Sequence, residues 1–273
     1  MNIGKLDIII PTWNSGVTLD KTIMSIKDTF EDDLNNIIIV DKNSNDDTIG
    51  IAKKHNCKIL FESGSLGDAR IKGLKKASTK YIAFIDSDIL LSHNWFLDIS
   101  GYMDICIGWG WLYGYTLSNN KLDSEQKRFR MNLRFPNASS FRRLKAGERG
   151  YTHNTICLRE PLLNADVEGV YSWEDYVFTQ NMIKAGYGVF ELPVSCKHNH
   201  NYDIYKMEKW NMAGCRYVKG FSIYIFLKII FHVYWGLRCS FHFRNINHLF
   251  MNLRILYNNI IGFLFYKKYL VKK

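Results

Sequence analysis

The sequence predicts an α/β fold, a mostly parallel sheet flanked by helices, and three observations predict it. Four short, nearly continuously apolar runs, at residues 6–10, 36–40, 58–61 and 80–85, have the text of strands buried on both faces of a parallel sheet. The segments between them carry helical periodicity. Length and composition agree, since 273 residues with 47% apolar side chains suit one large or two small domains with a real core. A disulfide-stapled miniprotein and a largely disordered chain are both excluded.

Taken in order, the first run ends in Pro11-Thr12-Trp13-Asn14, and Val17, Leu19, Ile23 and Ile26 then space out one apolar stripe. Ile49, Ile51 and Ala52 begin a second stripe after the second run, and Leu66, Ala69, Leu74 and Ala77 make a third. The order is β-α-β-α-β-α-β. Ligands in such sheets bind at the carboxyl ends of the strands, so chemistry is expected just after Ile10, Val40 and Ile85. From about Asp104 the pattern loosens: CIGWGWLYGYTL reads as a strand, and residues 127–150, with eight cations and one acid, read as a mobile or ligand-ordered segment. A helix resumes at Ser172, whose hydroxyl with Asp175 resembles a capping box, and ends at Gly186.

The last quarter differs in charge. The whole chain has a formal net charge of +10; residues 1–196 come to −1 and residues 197–273 to +11. Residues 221–237 are apolar almost all round, broken by Lys228 and His232, and fall slightly short of the about 20 residues of a membrane span. Residues 249–266 read as an amphipathic helix with Asn252, Arg254, Asn258 and Asn259 as its polar members. Aromatic rings and cations around apolar helices predict association of residues 221–273 with an anionic membrane surface. An ordinary helical subdomain packed on the core is the other reading. The charge permits nucleic acid, but the cations do not lie along a polar stripe with spaced stacking aromatics, so no nucleic acid partner is expected. Six scattered cysteines and an apolar run of only about five residues before Pro11 give no disulfide framework and no visible export signal. The expected location is the cytoplasmic face of a membrane, peripheral or monotopic.

Asp86-Ser87-Asp88, directly after the fourth run, is the sharpest chemical signal. Two carboxylates one residue apart at a strand end can reach one hard divalent cation, which can in turn neutralise a diphosphate; such triplets also occur in plain loops and caps. The turns holding Trp13 and Asp41 open at the same sheet edge and offer a slot with an aromatic wall and an acceptor. Asp46 or Asp47 reads as the cap of the following helix.

Together, IIIPTWNSGVTLDKTIMSI, IIIVDKNSNDDT, GSLGDARIKGLKKA, KYIAFIDSDI and SWEDYVFTQNMIKAGYGVFELP resemble a family 2 glycosyltransferase of the GT-A fold over roughly residues 5–200. The resemblance implies a Rossmann-like catalytic domain at 1–200, with a nucleotide-sugar-binding half at 1–103 and an acceptor half at 104–200; the membrane-association region at 201–273 is the one read above from charge and apolar helices. It implies a UDP, GDP or dTDP sugar as donor, Mn²⁺ or Mg²⁺ as cofactor, and transfer with inversion to an acceptor bound by the later half; together with the tail, a lipid-linked or glycan acceptor is expected. On this resemblance Pro11, Trp13, Asn14, Asp41, Gly67, Arg70, Asp86 and Ser87 would bind the donor, and Asp88, Asp86 and His198, with His200 as the weaker candidate, the metal. Asp175 would take the proton from the acceptor hydroxyl, and Glu174 would position the acceptor or the helix; acids in a first helical turn also simply complement the dipole. The family's second acid after Asp41 is replaced here by Lys42, which donates and cannot accept, so the usual reading of a uracil edge is lost. The basic stretch from Arg128 to Arg149 could close over the donor diphosphate, grip an acceptor phosphate or be a solvated loop. Two other expectations remain open: a polyprenyl-phosphate glycosyl synthase, and a non-catalytic membrane or nucleic-acid binding protein that retains the fold.

Overall fold

The computed structural model describes residues 4–137, 139–200, 203–220 and 224–270. Its elements in chain order are β1 (Leu6–Thr12), α1 (Leu19–Phe30), β2 (Leu34–Asp41), α2 (Thr48–Lys54), β3 (Lys58–Phe61), α3 (Leu66–Lys76), β4 (Tyr81–Ile85), β5 (Ile89–Leu90) and α4 (Trp95–Ser100). There follow β6 (Trp109–Leu117), α5 (Lys121–Arg134), β7 (Arg142–Arg143), β8 (Asn154–Leu158), α6 (Glu174–Lys184), β9 (Gly188–His198), α7 (Ile204–Lys219), α8 (Tyr224–Phe243), α9 (Asn247–Leu264) and α10 (Tyr266–Leu270). They form two compact units, residues 1–117, 133–170 and 174–200 in the first and 118–132, 171–173 and 201–273 in the second.

The first unit is one mixed sheet with the order β3-β2-β1-β4-β8-β6-β9-β5, and β7 pairs with β9. β1 to β4 are parallel, as the apolar runs predict, and Ile8, Ile9 and Ile10 are fully buried in the middle of them. Beyond β4 the expectation of a mostly parallel sheet fails: β8 runs against both β4 and β6, and β5 and β7 run against β9, while β6 and β9 are parallel. The reason is local. The chain enters β8 at Asn154 opposite Ile85, the carboxyl end of β4, so β8 runs back along β4. Asn154 fastens this junction, accepting from Gly114 N–H at 2.9 Å and donating to Thr116 Oγ1 at 3.0 Å.

The helices follow their stripes. α1 buries Leu19, Ile23, Ile26 and Phe30 on one face. α3 starts at a capping box in which Ser65 Oγ accepts from Asp68 N–H and the Asp68 carboxylate accepts from Ser65 N–H. The predicted box at Ser172 does not form: its hydroxyl is buried without a partner among the described residues, and α6 begins at Glu174. α6 ends at Lys184, with Gly186 at φ +87° just beyond. Of the stretch read as mobile, residues 127–134 belong to the helix α5, which carries the ion pairs Lys127–Asp123 and Lys121–Glu125 and buries Asp123, Gln126 and Met131.

Gly67 opens α3 where the 165–170 loop comes closest, and a Cβ there would lie 2.4 Å from Val167 O. Replacing Gly67 by alanine is expected to cost about 1–3 kcal/mol, read as a lower midpoint in urea; an unchanged midpoint would mean that the loop yields without strain.

In the second unit α8 and α9 pack with their polar side chains inward. His232 Nδ1 lies 3.2 Å from Asn252 Oδ1, His232 Nε2 lies 3.2 Å from Asn259 Nδ2, Asn252 donates to Gln126 Oε1 at 3.0 Å, and Gln126 lies 3.1 Å from His248 Nδ1. The outward faces carry Ile230, Tyr234, Leu237 and Phe241 on α8, and Phe250, Leu253, Tyr257, Ile260 and Leu264 on α9. This corrects the reading of α9, whose Asn252, Asn258 and Asn259 are buried instead of forming a wet face; of the four polar members only Arg254 points outward. Satisfied polar groups can be interior, and the hydrogen bonds settle which face is which. No helix among the described residues is long and apolar enough to cross a membrane; residues 221–223 of the apolar segment lie outside the described residues.

Candidate active site

The candidate site belongs to the first unit, at the carboxyl ends of β1, β2 and β4. The parallel register sets Thr12 beside Asp41, and side chains lace the three turns together. Asn14 N–H donates to Ser44 Oγ at 2.7 Å, Asn14 Oδ1 accepts from Asn45 N–H at 2.9 Å, and Ser15 Oγ lies 2.9 Å from Ser87 Oγ. Thr22 Oγ1 reaches Ser87 O at 3.0 Å. Asn14 and Asn43 hold φ of +49° and +52°, the left-handed conformation that asparagine tolerates best after glycine. Asp47 holds the cap position of α2 without a side-chain cap bond, and the preceding Asp46 carboxylate accepts from Thr48 N–H at 3.1 Å.

Within this frame the expected donor residues differ in what they offer. Trp13 is 52% exposed, and the Lys42 amine stands 5.6 Å from its ring centre, so the two line an open wall. Pro11 is half-buried inside β1. Asp41 is fully buried, and its carboxylate accepts from Thr12 Oγ1, Ser44 N–H and Ser44 Oγ at 2.6–2.8 Å, so it shapes the loop from within. Gly67 does not join the group; its N–H is taken by Val170 O and its missing side chain makes room for Val167.

Arg70 is the centre of the cluster. Expected to face a nucleobase or diphosphate, it is 1% exposed and bridges two acids, Asp86 through Nη2 at 2.8 Å and Glu174 through Nε at 3.2 Å. A cation between the two acids offsets their mutual repulsion, and the planar guanidinium donates to both at fixed angles. Its Nη1 has no partner among the described residues. Burial, with the neighbouring Asp175 charge, pushes the Glu174 carboxyl up to about 7 against the pull of Arg70 and Arg149. Asp175, 3% exposed, is held in a two-bond grip by Arg149, Nε to Oδ1 at 2.7 Å and Nη2 to Oδ2 at 2.9 Å. The acid of the failed capping box is thus engaged elsewhere.

Asp88 sits at the other side of the turn. His198 Nδ1 lies 3.3 Å and His200 Nδ1 3.5 Å from its Oδ2, and the His200 nitrogen is buried without a hydrogen bond among the described residues. Burial raises the Asp88 carboxyl, but the two imidazoles outweigh it and hold it below the ordinary range. Asn199 N–H, between them, donates to Asp88 O at 2.7 Å. No group of three His, Cys, Asp or Glu side chains among the described residues is arranged to hold a metal ion by itself. The orphaned His200 nitrogen beside an ionised carboxylate nevertheless fits a cation that takes further oxygens from a diphosphate, as Mg²⁺ and Mn²⁺ do.

Residues 7–156, more than half of the chain, match the model of the family described as Glycosyl transferase family 2. The chain belongs to this family. Among the relatives of this family 2 chain, the poly(ribitol-phosphate) beta-N-acetylglucosaminyltransferase TarP of Staphylococcus aureus is 34% identical over 106 residues, 36% of this chain and 32% of TarP. The GalNAc(5)-diNAcBac-PP-undecaprenol beta-1,3-glucosyltransferase of Campylobacter jejuni is 34% identical over 93 residues, 31% of this chain and 29% of that protein. The chain therefore spans about a third of the length of these curated relatives. Glucosyl-3-phosphoglycerate synthase of Mycobacterium tuberculosis, solved with Mn²⁺ and UDP, superposes with a TM-score of 0.54 at 15% identity, over 78% of this chain and 79% of that one. That likeness shows a shared GT-A fold.

Proposed function

We propose that this family 2 protein transfers a sugar from a nucleotide-sugar donor to a hydroxyl of a lipid-linked or membrane-associated acceptor, with inversion. The observation that carries the reading is the Arg70 bridge: one buried guanidinium ties Asp86, at the end of β4, to Glu174, next to Asp175 at the start of α6. Acids some 90 positions apart in the chain, one set suited to a cation and diphosphate and the other to an acceptor proton, are held as one cluster. Asp88, Asp86 and His198 would hold Mg²⁺ or Mn²⁺, which when bound supplies positive charge against the leaving diphosphate. Trp13 would stack on the base. Lys42 leaves UDP, GDP and dTDP sugars all in contention. Asp175 would accept the proton of the attacking hydroxyl, and Glu174, fixed by Arg70, would hold the start of the helix in place. Of the relatives' names, the one with an undecaprenol-linked glycan supports a lipid-linked acceptor, and the one with a poly(ribitol-phosphate) supports a polymer acceptor.

The test is a panel of nucleotide sugars screened by thermal shift with and without Mn²⁺, on the wild type and on Asp88→Asn. One donor is expected to raise the melting temperature of the wild type with Mn²⁺, and Asp88→Asn to lose most of that shift; equal shifts in both proteins would remove Asp88 from the metal.

Membrane contact, at a cytoplasmic face, is part of the same proposal. Its support is the outward apolar faces of α8 and α9, together with a +11 charge over residues 197–273. The full chain is expected to float with phosphatidylglycerol vesicles and much less with phosphatidylcholine. Leu237→Asp with Phe241→Asp should lower flotation at least about tenfold, since each substitution removes buried apolar area and adds repulsion. Flotation unaffected by both would sink the assignment of this face.

A further inference from the structure

A carboxylate that is to take a proton must offer a lone pair, and the bonds already made to Asp175 leave few. Its Oδ1 accepts from Arg149 Nε at 2.7 Å and from the backbone N–H of Tyr176 at 2.8 Å, while Oδ2 accepts from Arg149 Nη2 at 2.9 Å. Two carboxylate oxygens offer about four acceptor positions. Oδ1 is therefore filled, and Oδ2 keeps one.

We propose that Arg149 is a positioning residue for the transfer reaction: its two-bond grip fixes the plane of the Asp175 carboxylate and reserves the open position on Oδ2 for the proton of the acceptor hydroxyl. The inference rests on Asp175 being the base and adds the group that aims it. In the step itself the acceptor oxygen bonds to the anomeric carbon as its proton passes to Oδ2. The bond from that carbon to the diphosphate oxygen breaks, and its electron pair leaves with the diphosphate.

The surroundings of Arg149 are those of a fixed clamp. Gly147 N–H donates to Gln180 Oε1 at 2.7 Å, Gln180 Nε2 donates to Glu148 O at 2.7 Å, and Gly150 N–H reaches Thr179 Oγ1 at 3.4 Å. Thr179 and Gln180 belong to α6, the helix that carries Asp175, so clamp and acid share one support. The guanidinium also lies 5.2 Å from the centre of the Tyr151 ring. Charge compensation alone would need one ammonium; a planar fork with both prongs engaged sets an orientation.

The deciding variant is Arg149→Lys in the full chain, which keeps the charge and loses the fork. Its kcat is expected to fall about 10- to 100-fold, with donor KM and the nucleotide-dependent thermal shift within about twofold of the wild type. Arg149→Lys combined with Asp175→Asn should be no slower than Asp175→Asn alone, because the clamp acts only through that acid. Gln180→Ala, which loosens the support and leaves both partners in place, should lower kcat several-fold in the same KM-independent way, and it decides the matter if Arg149→Lys does not fold. A kcat within about threefold of wild type in the folded variants, or a double variant slowed by the full product of the two effects, overturns the inference. If Asp175→Asn transfers sugar at the wild-type rate, the reading of the base fails and the inference with it. If Asp175→Asn is inactive while Arg149→Lys and Gln180→Ala both keep kcat within about threefold of wild type, the inference alone fails.

Discussion

Replacing Asp175 by asparagine is expected to slow sugar transfer about 10²- to 10⁴-fold, the span that a well-placed general base supplies. Asparagine fills the same volume and can still accept from the Arg149 fork through its carbonyl oxygen, so the loss is of a proton acceptor more than of shape. Donor binding should survive, because Asp175 lies on α6 and the acids for a cation lie in the turn after β4. The measurement is turnover of the best donor from the thermal-shift panel, with binding checked by the same shift. A variant that keeps transfer within about fivefold of wild type would remove the base from the mechanism. One pattern selects a different acceptor: unimpaired transfer to a polyprenyl phosphate identifies a nucleophile already ionised, which needs no base.

Arg70→Met is the largest expected effect on stability. Methionine approximates the buried volume, but Glu174, 5% exposed in its side chain, would then face the interior without its cation. Breaking a buried pair from one side costs about 3–5 kcal/mol, and the lower end applies here because Asp86 keeps 36% of its side-chain surface in solvent. The sign with pH follows from Glu174, whose carboxyl is raised to about 7 from an ordinary 4.5. A group raised on folding binds its proton more tightly in the folded state, so its contribution favours folding at low pH and is lost as pH rises through 7. Arg70→Met, with the carboxyl raised further, should be weakest above pH 7 and recover toward pH 5. Adding Glu174→Gln should restore part of the loss. A double variant no more stable than Arg70→Met alone would show that the stranded carboxylate is not the cause.

What the sequence revealed and what it hid divide along a physical line. β1, β2 and β4 and the helices between them were legible because strands covered on both faces must be apolar throughout, and Ile8, Ile9, Ile10, Ile38 and Ile39 are all fully buried; β3, expected to be buried on both faces as well, is the edge strand, with Lys58 and Phe61 exposed. The position of Asp86 and Asp88 followed from the same argument, since the end of a parallel strand marks the ligand edge. The second half of the sheet was not legible: whether β8 joins β4 parallel or antiparallel depends on which end of the sheet the chain enters. Among the site residues, type and spacing indicated carboxylates, but partners remote in sequence decide their roles. Arg70 is 104 positions from Glu174, and Arg149 is 26 from Asp175. Asp41 shows the converse, a residue whose place was readable and whose three internal donors were not. In α9 a helical wheel gives two faces without saying which is inside, and Asn252 and Asn259 took the interior because His232 and Gln126 meet them there.

That polar seam between α8 and α9 has a mechanical consequence. Helices joined by greasy contacts alone can slide or roll past one another at little cost, whereas a run of directional bonds from Gln126 through Asn252 and His232 to Asn259 permits one alignment. Were the hairpin to meet an oily surface, as proposed above, it would do so already assembled, and adhesion there would not spend its energy on ordering the helices first.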